Sequence, residues 1–228
     1  MTFLLSRKVY IAIIGDIRNS RNLEKRHLIQ YQLRAVLNDI NDSFKEDIAA
    51  KFMITLGDEF QGLLCTGEHV LQIIYKIQRA MYPIQIRFGI GVGEITTDID
   101  AEMAIGADGP GYYMARKAIE LLKQDELQRK KTVSDIRIEI DTDESEMCDM
   151  MNTVFMMLSV IERRWSERQR EIIWDMERYQ DGQKKCAQRL GIAQSSVNRG
   201  LENGNYYAYR DAKEKIADVL QEIKNGDV

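Results

Sequence analysis

The chain has 228 residues, 44% of them hydrophobic and 30% charged, which is enough apolar material for one or two soluble domains with a sizeable core. Net charge is −4, divided as −5 over the first 150 residues (19 Lys and Arg against 24 Asp and Glu) and +1 over the remainder (13 against 12). That balance excludes a general coat for nucleic acid and leaves room only for a local basic patch.

Met1 to Ile14 is apolar but broken by Arg7 and Lys8, with no small-residue cleavage site behind it, so it reads as a buried strand rather than a signal peptide. Its core, Val9 to Ile14, lacks polar alternation, as a central strand covered on both faces should, and Gly15-Asp16 ends it. Leu23 to Phe44 carries apolar residues near the 3.6 period and predicts a long amphipathic helix. Next, Gly57-Asp58 stands between the apolar runs Lys51–Ile54 and Phe60–Cys65, a hairpin signal. Asp58 either suits the backbone of that turn or is presented by it. Were the first strand to lie beside the hairpin, Asp16 and Asp58 would meet at one sheet edge and could share a divalent ion.

A second helix opens at Gly67 or Glu68 and stops at Pro83. The strand predicted over Ile84 to Thr96 turns Arg87, Gly89, Gly91 and Gly93 to one face, leaving room for a packed helix or for a ligand. The loop Gly106 to Gly111 leads into a helix over Tyr112 to Leu122, whose N-terminus suits an anion, and Ile136 to Ile140 is a short strand. The order β, α, β, β, α, β, α, β predicts an α+β domain of ferredoxin-like arrangement.

Glu144 to Trp165 reads as a Met-rich helix, apolar on more than one side, that either joins domains or forms a dimer seam. Ser166 to Gln169 is a capping box, and the helix it starts has one apolar stripe up to Asp181-Gly182. Cys186 to Val197 then has a helix-turn-helix pattern, spanning about 183–202, with Ala187 at the crossing, Gly191 at the turn, and Leu190, Ile192 and Val197 as pins. Gln194, Ser195, Ser196, Asn198 and Arg199 would cover its outer face, side chains able to read base edges. Lys184, Lys185, Arg189, Arg199, Arg210 and Lys213 outnumber the acids of residues 181–213 by six to three, which suits phosphate. A helical hairpin that binds protein explains the apolar positions equally well.

Three cysteines, Cys65, Cys148 and Cys186, far apart and odd in number, imply reduced thiols and a cytoplasmic setting, and no run of about 18 apolar residues predicts a membrane span.

Over roughly residues 8 to 140, Asp16 after an apolar strand, the Leu56-Gly57-Asp58 hairpin, Arg87-Phe88-Gly89-Ile90-Gly91-Val92-Gly93, and a glycine loop running into Ala115-Arg116 resemble the catalytic domain of class III nucleotide cyclases. Gly57-Asp58-Glu59-Phe60 also resembles the signature of GGDEF diguanylate cyclases. The whole chain is similar to the bacterial SatD family. The cyclase resemblance implies that Asp16 and Asp58 bind Mg²⁺ or Mn²⁺ under a nucleotide, that backbone amides of Ile17, Arg18, Asn19 and Ser20 hold phosphate, and that Arg116 acts in catalysis. It departs from the cyclases at Ile54 and Tyr112, where they carry lysine and asparagine.

The expectation is therefore an α+β, cyclase-like domain over residues 1–142 and an all-α domain over 143–228. As a whole, the chain is expected to be a homodimeric DNA-binding regulator with a nucleotide- or metal-binding sensor domain. The alternative is a nucleotidyl cyclase or related phosphoryl-transfer enzyme working through Asp16 and Asp58.

Overall fold

A computed structural model describes residues 8–20, 24–129, 134–141 and 145–223. Five strands, β1 (Tyr10–Ile17), β2 (Ile48–Leu56), β3 (Glu59–Leu64), β4 (Ile86–Gly93) and β5 (Ile136–Ile140), form one sheet in the order β2-β3-β1-β4-β5. β1 is antiparallel to β3 and to β4, whereas β5 runs parallel to β4. With α1 (Arg26–Ser43) and α2 (Val70–Met81), the first four strands make the split βαβ unit that the element order predicted. β1 lies in the middle of the sheet, as its unbroken apolar run required, and all eight of its residues are buried.

The two faces of the sheet are covered differently. Ile11, Ile13 and Ile17 of β1 join Leu33, Leu37 and Ile40 of α1 and the apolar side of α2 in the main core. Tyr10, Ala12 and Ile14 point the other way, toward Tyr112, Ala115 and Ile119 of α3 (Pro110–Arg129). The glycine face of β4 thus meets a helix. A Cβ on Gly91 would stand 2.1 Å from the Gly111 carbonyl oxygen and 2.2 Å from the Ala115 nitrogen, and one on Gly89 would be 2.3 Å from the Ala115 oxygen. α3 begins two residues before the expected start, with Pro110 suited to the first helical position, and runs seven residues past the expected end.

After β5 the chain is helical: α4 (Ser145–Arg163), α5 (Glu167–Tyr179), α6 (Gln183–Leu190), α7 (Gln194–Asn203) and α8 (Tyr206–Gln221). The capping box opens α5 as expected, with Ser166 Oγ accepting from the Gln169 amide and the Gln169 side chain accepting from the Ser166 amide. α8 was not among the predicted elements, although Tyr206, Tyr209, Ile216 and Leu220 mark its buried side at helical spacing. The boundary expected between residues 142 and 143 lies outside the described residues. Cys65, Cys148 and Cys186 are reduced and form no disulfide with one another. Burial pushes the Cys186 thiol up to about 12, so it stays protonated and inert.

The apolar core continues from the sheet into these helices through Met151, Phe155 and Leu158 of α4 and Tyr209 and Leu220 of α8. α4 also closes the edge of β5. Asn152 Oδ1 accepts from the Ile138 amide at 2.8 Å, while its Nδ2 donates to the Ile138 oxygen at 2.9 Å. Free strand-edge groups are thereby satisfied by a side chain and are not left to pair with another chain. Further along, Trp165 Nε1 donates to the Gly204 oxygen at 2.7 Å, and Arg79 of α2 pairs with Glu177 of α5. Lys213 of α8 also reaches Glu177, at 2.7 Å, with its Nζ 3.9 Å from the Tyr75 ring centre. Burial, with Arg79 nearby, pushes the Lys213 ammonium down to about 7, and Glu162 and Glu214 oppose this only in part.

Two outcomes follow from this packing. Gly91→Ala drives a methyl into the α3 backbone and should cost about 2–4 kcal/mol in urea denaturation, or abolish soluble expression. Between about pH 7 and pH 10 the unfolded chain holds a proton on Lys213 that the folded chain has lost, so stability should rise with pH across that window. Urea midpoints measured at several pH values should show the rise flattened in Lys213→Met.

Candidate functional site

The two acidic residues singled out in the sequence stand on neighbouring strands. β1 and β3 pair so that Asp16 lies opposite Glu59, and the Ile17 amide donates to the Asp58 carbonyl oxygen at 3.1 Å. The Gly57-Asp58 turn has Gly57 at φ +60, the left-handed conformation that glycine adopts without cost. The hairpin therefore brings Asp58 beside the end of β1, as its sequence implied.

Their carboxylates, however, keep different company. Asp16 is buried on the α3 face, at 7% exposure; one oxygen takes a hydrogen bond from Arg87 Nη1 and the other from Lys123 Nζ at 2.8 Å. Arg87 sits directly across from Asp16 on β4, and Lys123 comes from the extended end of α3. Asp58 accepts a hydrogen bond from Ser20 Oγ and has Arg26 Nη2 at 3.9 Å.

Beyond Asp16 the network continues through Glu126, which takes Arg87 Nη2 at 2.6 Å and also binds Arg18. Arg18 turns inward, donating to the Ser134 oxygen at 2.8 Å and to Asp135 at 2.7 Å, and Asp135 holds Arg163 of α4 at 2.9 Å. Burial lowers the pKa of Arg18, and Asp135 and Glu126 counter part of that. Burial acts the same way on Arg87, but Glu126 and Asp16 outweigh it and hold the guanidinium above its ordinary value.

This arrangement decides how a divalent ion would fare. A metal shared by Asp16 and Asp58 would bind at carboxylate oxygens, and both of those on Asp16 already accept from a cation, so Arg87 or Lys123 would have to give way to it. As arranged, the pair does not fit a metal centre. The amides of Ile17 and Arg18 are also engaged, to the Asp58 and Gln85 oxygens, so only Asn19 and Ser20 remain of the four residues expected to hold phosphate. Arg116 is half-exposed on α3, 3.9 Å from Glu59 Oε1. Sequence reasoning missed Lys123, Glu126 and Asp135. Lys123 and Glu126 lie in the charged stretch that follows Leu122 and reads as a solvated face, yet they continue the sheet-facing stripe of Ala115 and Ile119.

Among the described residues, Asp47, Glu68 and His69 place ligand atoms within 4.8 Å of one another beside the start of α2. His69 Nδ1 and Asp47 Oδ2, 2.9 Å apart, already satisfy each other there.

The second candidate surface is built by α6 and α7. Gly191 at φ +63 ends α6, the Ile192 amide returns to the Ala187 oxygen at 3.0 Å, and α7 begins at Gln194. Cys186, Ala187, Val197 and Leu201 are buried. A Cβ on Gly200 would lie 2.6 Å from Ile172 Cδ1, so α7 packs close on α5. Gln194, Ser195, Ser196 and Arg199 are exposed, as are Lys184 and Lys185 on the first turn of α6. Asn198 is half-buried, accepting from Gln183 at 3.1 Å and donating to Glu202 at 2.9 Å.

The positive surplus read from the sequence shrinks in three dimensions. Arg189 is held by Asp175 and Asp181, each at 2.7 Å, Arg210 by Asp211 at 2.8 Å, and Lys213 by Glu177. Hydrogen bonds from Arg189 hold Asp175 and Asp181 below the ordinary carboxylate range. Of the six basic side chains counted, Lys184, Lys185 and Arg199 are left for a partner.

Residues 10–220 match the SatD family, and the chain belongs to that family. No curated protein matches the chain. Among solved structures it is similar to the non-canonical dimeric guanylyl cyclase domain of the RhoGC fusion protein from the aquatic fungus Blastocladiella emersonii (14% identity, TM-score 0.37, 48% of this chain and 72% of that one). It is also similar to the catalytic core of a rhodopsin-guanylyl cyclase with converted specificity in complex with ATPαS (15% identity, TM-score 0.36, 48% and 71%). No described helix is long and apolar enough to cross a membrane.

Asp16 and Asp58 should respond differently to neutralisation. Asp16→Asn leaves Lys123 and Arg87 short of a counter-charge in a buried network and should cost about 2–4 kcal/mol in chemical denaturation. Asp58→Asn, at a partly exposed turn, should cost about 1 kcal/mol or less. Equal costs would mean that the network is not anchored on Asp16.

Proposed function

We propose that this SatD-family chain is a regulator that binds double-stranded DNA through α7, with α6 and α7 acting as a helix-turn-helix. The observation that carries the reading is the division of α7. Val197 and Leu201 are fully buried against the helices beneath, while Gln194, Ser195, Ser196 and Arg199 all stand in solvent on its first turns. In a helix-turn-helix the N-terminal residues of the second helix are the ones that enter the major groove. Arg199 suits the O6 and N7 of guanine and Gln194 the N6 and N7 of adenine, while the two serines accept either partner.

Lys184 and Lys185 would meet phosphate, fixing the register of the helix on the duplex without reading sequence. Asn198, tied to Gln183 and Glu202, would orient the helix surface and leave base reading to its neighbours. With Arg199 on a base edge, Lys184 and Lys185 supply the phosphate contacts, so a salt slope of about −2 is expected per copy and binding should fade at physiological salt.

In this reading residues 1–142 serve the helical part as a scaffold and input domain. The phosphoryl-transfer alternative has less support, because Asp16 pairs with Arg87 and Lys123.

Selection from a random pool of duplexes, followed by fluorescence anisotropy, tests the proposal. Arg199→Ala should weaken binding to the selected sequence by about 1–3 kcal/mol, whereas Lys184→Ala should weaken all sequences alike and reduce the salt slope by about one. A chain that enriches no sequence at low salt would transfer α7 to protein recognition.

A further inference from the structure

α4 has a second face that the sheet does not use. Its inner side buries Cys148, Met151, Phe155 and Leu158, and Asn152 clamps the edge of β5. On the outer side Met150 is 64% exposed, Met157 59% and Val160 44%, with exposed Thr153 between them. At 3.6 residues per turn these four positions fall within an arc of about 80°. Their spacing of three, four and three residues is that of the seam of a two-helix coil. A row of large apolar side chains in solvent marks a contact surface.

We propose that this row is a homodimer seam, at which α4 packs antiparallel on α4 of a second copy of the chain. The charges at the two ends of the row select that occupant. Glu146, exposed, lies on the same arc one turn before Met150, and exposed Arg164 lies on it just after the helix. Met150 with Val160, Thr153 with Met157, and Glu146 with Arg164 all share one midpoint, the level of Phe155. An antiparallel pair centred there sets each of the three facing its counterpart in the second copy, so Glu146 meets Arg164 at both ends.

A parallel pair would instead stack Glu146 on Glu146 and Arg164 on Arg164. Helix dipoles also favour the antiparallel arrangement. The row is short, about 15 Å from Met150 to Val160, so the contact belongs to the small, weak class of interfaces. The seam is independent of whether α7 meets DNA.

Sedimentation equilibrium of the full chain over a concentration series should show a reversible monomer–dimer equilibrium. Met157→Glu places a carboxylate in the seam twice and should raise the dissociation constant more than about ten-fold, with the circular dichroism spectrum unchanged and, at concentrations where both proteins are monomers, Tm unchanged as well. Glu146→Arg alone and Arg164→Glu alone should each weaken the dimer. An equimolar mixture of those two variants should associate as tightly as the wild type, because each mixed pair restores opposite charges at both ends. A wild-type chain that stays monomeric throughout would assign the row to a different protein and overturn the proposal. A dimer indifferent to Met157→Glu, or a mixture no tighter than its components, would overturn it as well. Should Met157→Glu alter the fold, the charge pair decides by itself.

Discussion

Backbone contact between α3 and β4 is the constraint on which the charged part of this protein depends. Gly89, Gly91 and Gly93 lack the side chains that would hold a helix at the usual distance from a sheet, so α3 settles until its own carbonyl and amide groups touch the strand. That approach carries Lys123 and Glu126, near the far end of α3, to Asp16, Arg18 and Arg87 at the end of β1 and β4. With side chains on β4, the helix would lift away, taking Lys123 from Asp16 and Glu126 from Arg87 and Arg18. Uncompensated buried charge is among the most destabilising things a fold can contain.

The resulting network joins parts that are remote in sequence. From Lys123 it passes through Asp16, Arg87, Glu126, Arg18 and Asp135 to Arg163, linking α3, three strands' ends and α4. A carboxylate in such a setting orders its surroundings, with each Asp16 oxygen held by one cation. The same logic applies at the junction of sheet and helices, where Glu177 receives both Arg79 and Lys213. In both places opposite charges are brought together away from water, so removing one partner would leave the other uncompensated.

At the helical end the economy of charge is reversed. Arg189 is drawn back onto Asp175 and Asp181, and Arg210 onto Asp211, so the outward surface of α6 and α7 is polar more than basic. On the proposed reading, a surface of that kind would discriminate through hydrogen bonds, with modest help from long-range attraction. Two copies joined along α4 would present that surface twice and offset the shortage of cations on each.

Much of this was legible in the residues themselves. The apolar run of β1, the Gly57-Asp58 turn, the three alternating glycines of β4, the capping box at Ser166 and the Gly191 turn each carry a local physical signature, and each appears where its chemistry placed it. The strand order also followed, since a β, α, β, β, α, β run has few ways to bury both helices on one sheet. Other features have no local signature. That the glycine face takes a helix, that Asp16 answers to Lys123 107 residues away, and that half of the basic side chains between Lys184 and Lys213 are already paired are outcomes of distance in space. Sequence determines which side chains carry charge and which segments are helix or strand, because those depend on neighbours a few residues away. Only tertiary structure decides which charges cancel, because an ion pair depends on separation in three dimensions and on exclusion of water.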